Sequence, residues 1–348
     1  RQLAPLGGTD KPALAALKAQ LALAYLSEGE LERAQAAIAE SRALAPALVD
    51  AQVAQARLLA AQGERAAALQ TAADVVQRWP DEAKGWVLQG DLAAAAGQAT
   101  EAIAARQRAL KLRPDLALTH LALISQHLER NDVDAARQQW TAMDTALPSL
   151  PPDRSLGNPL TLYGAAVLAL HTGDALRARE LTGMLLRNNP TNLRALVLAG
   201  QAEMRLQAWP TAQNLLWRAI VVSAKTPQPR WLAAQAHLAV GQADRAWAAL
   251  EPLVLKGSTD RQALMLAAQA RQLMGDQKGA QAFFARAAAL MPDDPKVRTA
   301  QAIGKLGTAG LPAASSELQA IADSDTGTTA DLALYNLLLE RQDWAGAA

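Results

Sequence analysis

GQATEAIAARQRALKLRP, residues 97–114, opens on a turn glycine, runs through helix-forming residues and stops at a proline. Nearly the same phrase stands at 29–46, GELERAQAAIAESRALAP, and at 275–292, GDQKGAQAFFARAAALMP. The helix breakers give the period. Pro46, Pro80, Pro114 and Pro148 lie 34 residues apart, as do the turn positions Gly29, Gly63, Gly97 and Asn131. The spacing is broken once, where 173 − 131 = 42 is one period plus eight residues, and Gly173, Gln207, Gly241, Gly275 and Ala309 then resume it.

A stricter test is the residue five positions after each turn. It is Ala34, Ala68, Ala102, Ala136, Ala178, Ala212, Ala246, Ala280 and Ala314, without exception. A second small position precedes each turn by seven: Ala22, Ala56, Gly90, Ile124, Ala166, Gly200, Ala234, Ala268 and Ala302, where only Ile124 departs. A fixed period of this length marks a repeat architecture. The physical reason is close packing. Each unit is expected to be two antiparallel helices, and where their axes cross only Gly or Ala permits close approach. Larger apolar residues (Leu21, Tyr25, Ile38, Trp140, Leu216, Phe284) fill the rest of the layer. The proline ends the second helix because it cannot continue the hydrogen-bond ladder.

This pattern resembles the tetratricopeptide repeat. The match is fullest in the eighth unit, at Ala280, Phe284, Ala287 and Pro292, and in the third, at Trp86, Gly90, Ala102, Ala109 and Pro114. The resemblance implies an all-α fold: an α-solenoid whose antiparallel helix pairs form a right-handed superhelix of nine to ten repeats. Residues 1–11 are a lead-in, and 12–147 hold four repeats. A Pro-rich inserted loop covers 148–158, and 159–348 hold five repeats and the start of another, at 328–348. The break reads PSLPPDRSLGNP over 148–159; a surface loop is the simpler reading, a hinge or docking loop the sharper one.

Composition excludes several function classes. Apolar residues make up 51% and charged residues 19%, which supports a buried core and argues against disorder. Lys and Arg total 34 against 33 Asp and Glu, with no long basic run, so nucleic acid is not an expected partner. There is no cysteine, which removes disulfides, thiolate metal sites and cysteine nucleophiles. No apolar run reaches the roughly 18 residues of a membrane helix, so no membrane contact by this stretch is expected. The chain starts at Arg1 and ends on WAGAA, like the opening of another helix, and reads as a piece of a longer protein.

No phosphate-binding glycine loop, HExxH or GxSxG motif is present, so no catalytic residue, metal or cofactor is expected. His127 and His237 fall where Tyr25 stands in the first unit, which makes them packing residues. The pair Asp293–Asp294 sits at a helix start, where carboxylates cap free amides. Among the tryptophans, Trp140 takes a core position, Trp209 and Trp344 brace turns, and Trp79 adjoins a proline. Trp231 falls on a first helix, on the inward face; ordinary packing is the simpler reading and sugar stacking the sharper one.

The family resemblance implies that the first helix of each unit lines the concave side. One inner position there reads Leu23, Arg57, Asp91, Ser125, Val167, Gln201, Gln235, Gln269 and Ile303. The three successive glutamines suggest an amide ladder able to donate to and accept from a peptide backbone, with Arg194, Arg205, Trp231 and Gln272 nearby. A solvated polar surface is the alternative. The candidate partner-binding residues are therefore Arg57, Asp91, Arg194, Gln201, Arg205, Trp231, Gln235, Gln269 and Gln272, for a protein or peptide in the concave groove. Family members that grip a C-terminal carboxylate use lysines and asparagines at fixed inner positions; here those carry residues such as Val87, Asp91 and Leu121, so that clamp is missing.

The run NPLTLYGAAVLALHTGDALRARELTGMLLRNNPTNLRALVLAGQAEMRLQAWPTAQNLLWRAI (158–220) is similar to the long repeat lipoproteins of the bacterial PEP-CTERM/exosortase system, PrsT type. So is the later stretch from AAALMPDDPKVRTAQAIGKL through TADLALYNLLLERQDWAGAA (287–348). That resemblance implies a non-catalytic scaffold at the cell envelope, on the periplasmic side, serving exopolysaccharide biosynthesis, export or protein sorting. The alternatives are a scaffold of another exporter, of cellulose or Pel type, the recognition arm of an enzyme whose catalytic domain lies elsewhere, and a cytoplasmic location.

Overall fold

The computed structural model describes residues 10–147, 158–255, 257, 259–290, 294–304, 311–324 and 328–340. Among these are nineteen helices and no strand. The first unit, Arg1–Thr172, holds α1 (Lys11–Glu28), α2 (Leu31–Leu44), α3 (Val49–Ala61), α4 (Arg65–Arg78) and α5 (Ala83–Ala95). It continues with α6 (Ala99–Leu112), α7 (Ala117–Glu129), α8 (Val133–Ala146) and α9 (Pro159–His171). The second unit, Gly173–Ala348, opens with α10 (Ala175–Asn188), α11 (Leu193–Arg205), α12 (Trp209–Val222), α13 (Pro227–Leu238) and α14 (Ala243–Val254). There follow α15 (Arg261–Leu273), α16 (Gln277–Leu290), α17 (Pro295–Gly304), α18 (Leu311–Ser324) and α19 (Thr329–Glu340). Residues 148–157 of the Pro-rich stretch, Pro292, Asp293, Ala309 and Trp344 lie outside the described residues.

Every described turn position of the period has a left-handed backbone. Gly29, Gly63, Gly97, Gly173, Gly241 and Gly275 have φ between 73° and 86°, and Asn131 and Gln207 adopt 58° and 56°. This conformation lets the chain close a helix end. The N–H after the turn residue reaches back to the helix it leaves: Glu30 N to Tyr25 O and Asp132 N to His127 O, at 2.9 and 2.8 Å. Side chains add braces at the same place. Tyr25 accepts from Arg33 at 3.1 Å, and His237 Nδ1 donates to Gln242 Oε1 at 2.8 Å. Thus the Tyr25/His237 position packs at the turn, as its place in the repeat suggested.

All nine alanines five residues after the turns are at most 1% exposed. Their counterparts seven residues before the turns are buried as well. At Gly90 an added Cβ would stand 2.7 Å from Arg106 Cγ and 3.3 Å from Ala102 O; at Gly200 it would meet Leu216 Cδ2 and Cγ at 2.7 Å. These are helix crossings, and at these two glycines even a methyl would press on the facing helix. Ile124 is the large exception and is fully buried, and Gly164 on α9 packs close against the same layer. A Cβ at Gly164 would lie 3.0 Å from Trp140 Cδ1, 3.2 Å from Leu121 Cδ2 and 3.5 Å from Ile124 Cδ1. Trp140 Nε1 also donates to Thr161 O at 2.9 Å, tying α8 to α9.

Within each unit a helix contacts its pair partner and the next repeat. Successive first helices touch one another: α1 with α3, α3 with α5, α7 with α9, α11 with α13, α13 with α15. Successive second helices make no comparable contact among the described residues. The layer with the closer helix spacing lies inside any curvature, so the first helices form the inner face of each unit.

Candidate functional site

On the inner face of the first unit, α1, α3 and α5 shape a groove of about 860 Å³. It is lined by Gln20, Leu23, Leu26 and Ser27 from α1, by Asp50, Val53, Arg57 and Ala60 from α3, and by Ala83, Lys84, Val87, Asp91 and Leu92 from α5. Arg113 and Leu116 complete it. The positions 50, 53 and 57 on α3 and 84, 87 and 91 on α5 follow the i, i+3, i+7 spacing of one helix face in the same register.

Two ion pairs cross from α3 to α5, each between residues one period apart. Asp50 meets Lys84 at 2.7 Å, and Arg57 meets Asp91 at 3.1 Å. Their polarity is opposite, acid on α3 in the first and base on α3 in the second. Asp91 also accepts from Arg106 at 3.1 Å, and Arg106 is only 6% exposed. Arg113 forms a two-pronged pair with Asp115, both contacts at 2.8 Å. That hydrogen bond raises the Arg113 guanidinium above its usual range and holds the Asp115 carboxyl below its own. Exposed pairs of this kind add little to stability, so their main effect here is to occupy the cations that line the groove.

Arg57 and Asp91 are thus brought together, but onto each other. The remaining candidates lie in the second unit. Arg194, Gln201 and Arg205 sit on α11, with both arginines exposed and Gln201 half-buried. Trp231 and Gln235 are half-buried on α13, and Trp231 packs against the core of that unit. Gln269 and Gln272 of α15 share a depression of about 290 Å³ with Leu238 and Leu273. Among the described residues no hydrogen bond joins Gln201, Gln235 and Gln269 to one another. Nearby, Arg179 grips Glu203 through two hydrogen bonds of 2.7 and 2.5 Å, and that bond raises the arginine's proton affinity.

Sequence reasoning passed over several residues. Trp217 on α12 is 61% exposed beside Val221 on the same face, and only a residue-by-residue projection of the second helices would have shown it. Trp247 packs against Phe283 with centroids 5.6 Å apart and carries the Arg271 guanidinium 3.7 Å above its ring. His120 is buried: its Nε2 donates to Pro114 O at 2.9 Å, which leaves Nδ1 to accept from Gln139. Trp86, one period earlier, makes the same contact to Pro80 O at 2.7 Å. Among the described residues no cluster of acidic or histidine side chains could hold a metal, and no helix is long and apolar enough to cross a membrane.

No protein-family model and no curated protein sequence matches the chain. Solved structures do. A tetratricopeptide repeat protein from Parabacteroides merdae is similar with a TM-score of 0.52 at 13% identity, over 74% of this chain and 98% of that one. A chain of the APC/C hetero-tetramer Cut9–Hcn1 is similar with a TM-score of 0.58 at 16% identity, over 79% of this chain. The match spans 52% of that longer chain. At these identities the likeness concerns the fold, and the fold is a tetratricopeptide-repeat solenoid. The identity of the superfold leaves function to be argued from the surface.

Proposed function

We propose that the chain is a non-catalytic scaffold that binds protein partners on its first-helix face. The supporting observation is the groove of about 860 Å³ built from α1, α3 and α5. A rigid surface made of stacked helix pairs suits such binding, because the repeats present the same face at regular intervals. The candidate partner-binding residues remain Arg57, Asp91, Arg194, Gln201, Arg205, Trp231, Gln235, Gln269 and Gln272, on α3, α5, α11, α13 and α15. The resemblance of residues 158–220 to the PEP-CTERM/exosortase repeat lipoproteins supports a partner from exopolysaccharide machinery at the bacterial cell envelope, on the periplasmic side.

The test is capture from envelope extract of the source bacterium. One bait is the parent chain; the other combines Val87→Asp with Gln201, Gln235 and Gln269→Ala. Polysaccharide-machinery proteins held by the parent and released by the variant would bear the reading out. Equal recovery on both baits would move binding to the second-helix face and refute it. Specific capture of unrelated proteins would keep the scaffold and remove the exopolysaccharide role.

A further inference from the structure

We infer that the first unit's groove is built for uncharged aliphatic side chains of a partner polypeptide, and not for an acidic terminus. This rests on the scaffold reading above and adds the chemistry of the ligand. Its basis is the way the groove disposes of its own charge. The cations that line it, Arg57, Lys84 and Arg113, are each within 3.1 Å of a carboxylate oxygen of this chain. Asp91 faces two arginines at once, since Arg106 reaches it from behind on α6. An incoming carboxylate would have to displace Asp50, Asp91 or Asp115 and leave that acid without its partner. An arriving carboxylate therefore meets no lining cation that lacks an acid of this chain, and exchange of one exposed partner for another returns little.

What the charges leave open is apolar. The two ion pairs join α3 to α5 seven residues apart, which is about 10.5 Å along a helix. Between them, on the same faces, stand Val53 and Val87. The slot between the pairs has length for one large aliphatic side chain, with an ion pair at each end. Leu23 and Leu26 continue the apolar lining on α1, and Leu116 continues it beyond α5. Neighbouring helices pack about 8–10 Å apart. A partner lying across them therefore meets a new apolar site at about that interval, about every five to seven residues of a helix or every three of an extended chain. With each cation of its lining already held by an acid of this chain, the groove suits a ligand without charge.

The probes are two labelled peptides read by fluorescence anisotropy. The first is an amidated leucine/asparagine peptide with no charge. The second has the same leucines, aspartate for asparagine, and a free C-terminal carboxylate. The neutral peptide should bind at least tenfold more tightly than the acidic one, with little change between low and high salt. Val87→Asp and, separately, Leu23→Asp should each weaken it at least tenfold, with circular dichroism confirming that the variants fold. Asp91→Asn, which frees Arg57 and Arg106, should raise the affinity of the acidic peptide and make it salt-sensitive. Tighter binding of the acidic peptide to the parent would overturn the inference. So would failure of both peptides to bind, or tighter binding of a fluorescent fatty acid than of either. Partner capture separates the two levels. A partner lost on the combined variant but kept on Val87→Asp alone leaves the scaffold standing and removes this groove as its site.

Discussion

Substituting Gly200 by alanine should destabilise the second unit, although alanine is the better helix former. Gly200 lies inside α11, where exchange of glycine for alanine ordinarily stabilises by about 1 kcal/mol. Here the new methyl would stand 2.7 Å from both Cγ and Cδ2 of Leu216, about 1 Å inside ordinary contact. Leu216 is 0% exposed, so it has no free space into which to retreat. Overpacking of this kind costs about 1–3 kcal/mol, which outweighs the propensity gain and leaves a net loss of about 1 kcal/mol. Gly183, inside the neighbouring α10, is the internal control. Its nearest neighbour would be Arg187 Nη1 at 3.7 Å, the far end of a flexible side chain. Gly183→Ala should therefore stabilise by about 0.5–1 kcal/mol. Because α10 packs on α11, one local transition reports both changes even if the array does not unfold in a single step. Urea unfolding followed by circular dichroism should put the two variants about 2 kcal/mol apart, with opposite signs. Equal shifts for both would mean that propensity governs these positions, and the close helix crossing would be refuted.

Gln207→Gly should stabilise by up to about 1 kcal/mol, because Gln207 holds φ 56°, a left-handed conformation that costs a side-chain-bearing residue about that much; unchanged melting would contradict the turn geometry. Arg179→Leu should destabilise by about 1–3 kcal/mol in thermal unfolding, since it strands Glu203, whose side chain is 8% exposed; the partial exposure of Arg179 keeps the figure below that of a fully buried pair. Arg113→Ala should move the Asp115 carboxyl midpoint upward, toward the ordinary value of 3.8, in an NMR titration. The sign follows from linkage. A carboxylate lowered in the folded state favours folding above its ordinary value and loses that contribution as pH falls through its folded value. An unmoved Asp115 midpoint would contradict the two-pronged pair.

The repeat was legible because it is written in backbone requirements. Left-handed turns and helix crossings admit few residue types, so Gly29 or Ala102 announces its role without knowledge of its neighbours. Even Asn131 and Gln207, which break the glycine pattern, keep the turn, because the surrounding helices over-determine it. Side-chain partnerships were harder to read. Arg57 and Asp91 stood out as inner-face residues at one repeat position, yet their use on each other depends on the distance between α3 and α5. The same holds for Asp50 and Lys84, where opposite charges one period apart were the available signal. Ile124 looked like a lapse in the small-residue rule, yet its side chain is fully buried, which no residue beside it in the sequence announces. Trp217 carries no local mark of exposure, since the same residue type is buried at Trp247.

The strictly neighbour-to-neighbour contacts within each unit have a mechanical consequence. Among the described residues the substantial contacts end at the adjoining repeat, and no distant segment returns to lock the stack. Under tension such a stack has no single point at which all resistance is concentrated. It would yield one repeat at a time from a free end, each release adding on the order of 100 Å of chain. A pulling experiment would record a train of small, similar steps in place of one large rupture. A protein joined to the end of the array would then be held by an extensible tether, with most of its length stored as folded helix pairs until a load draws it out.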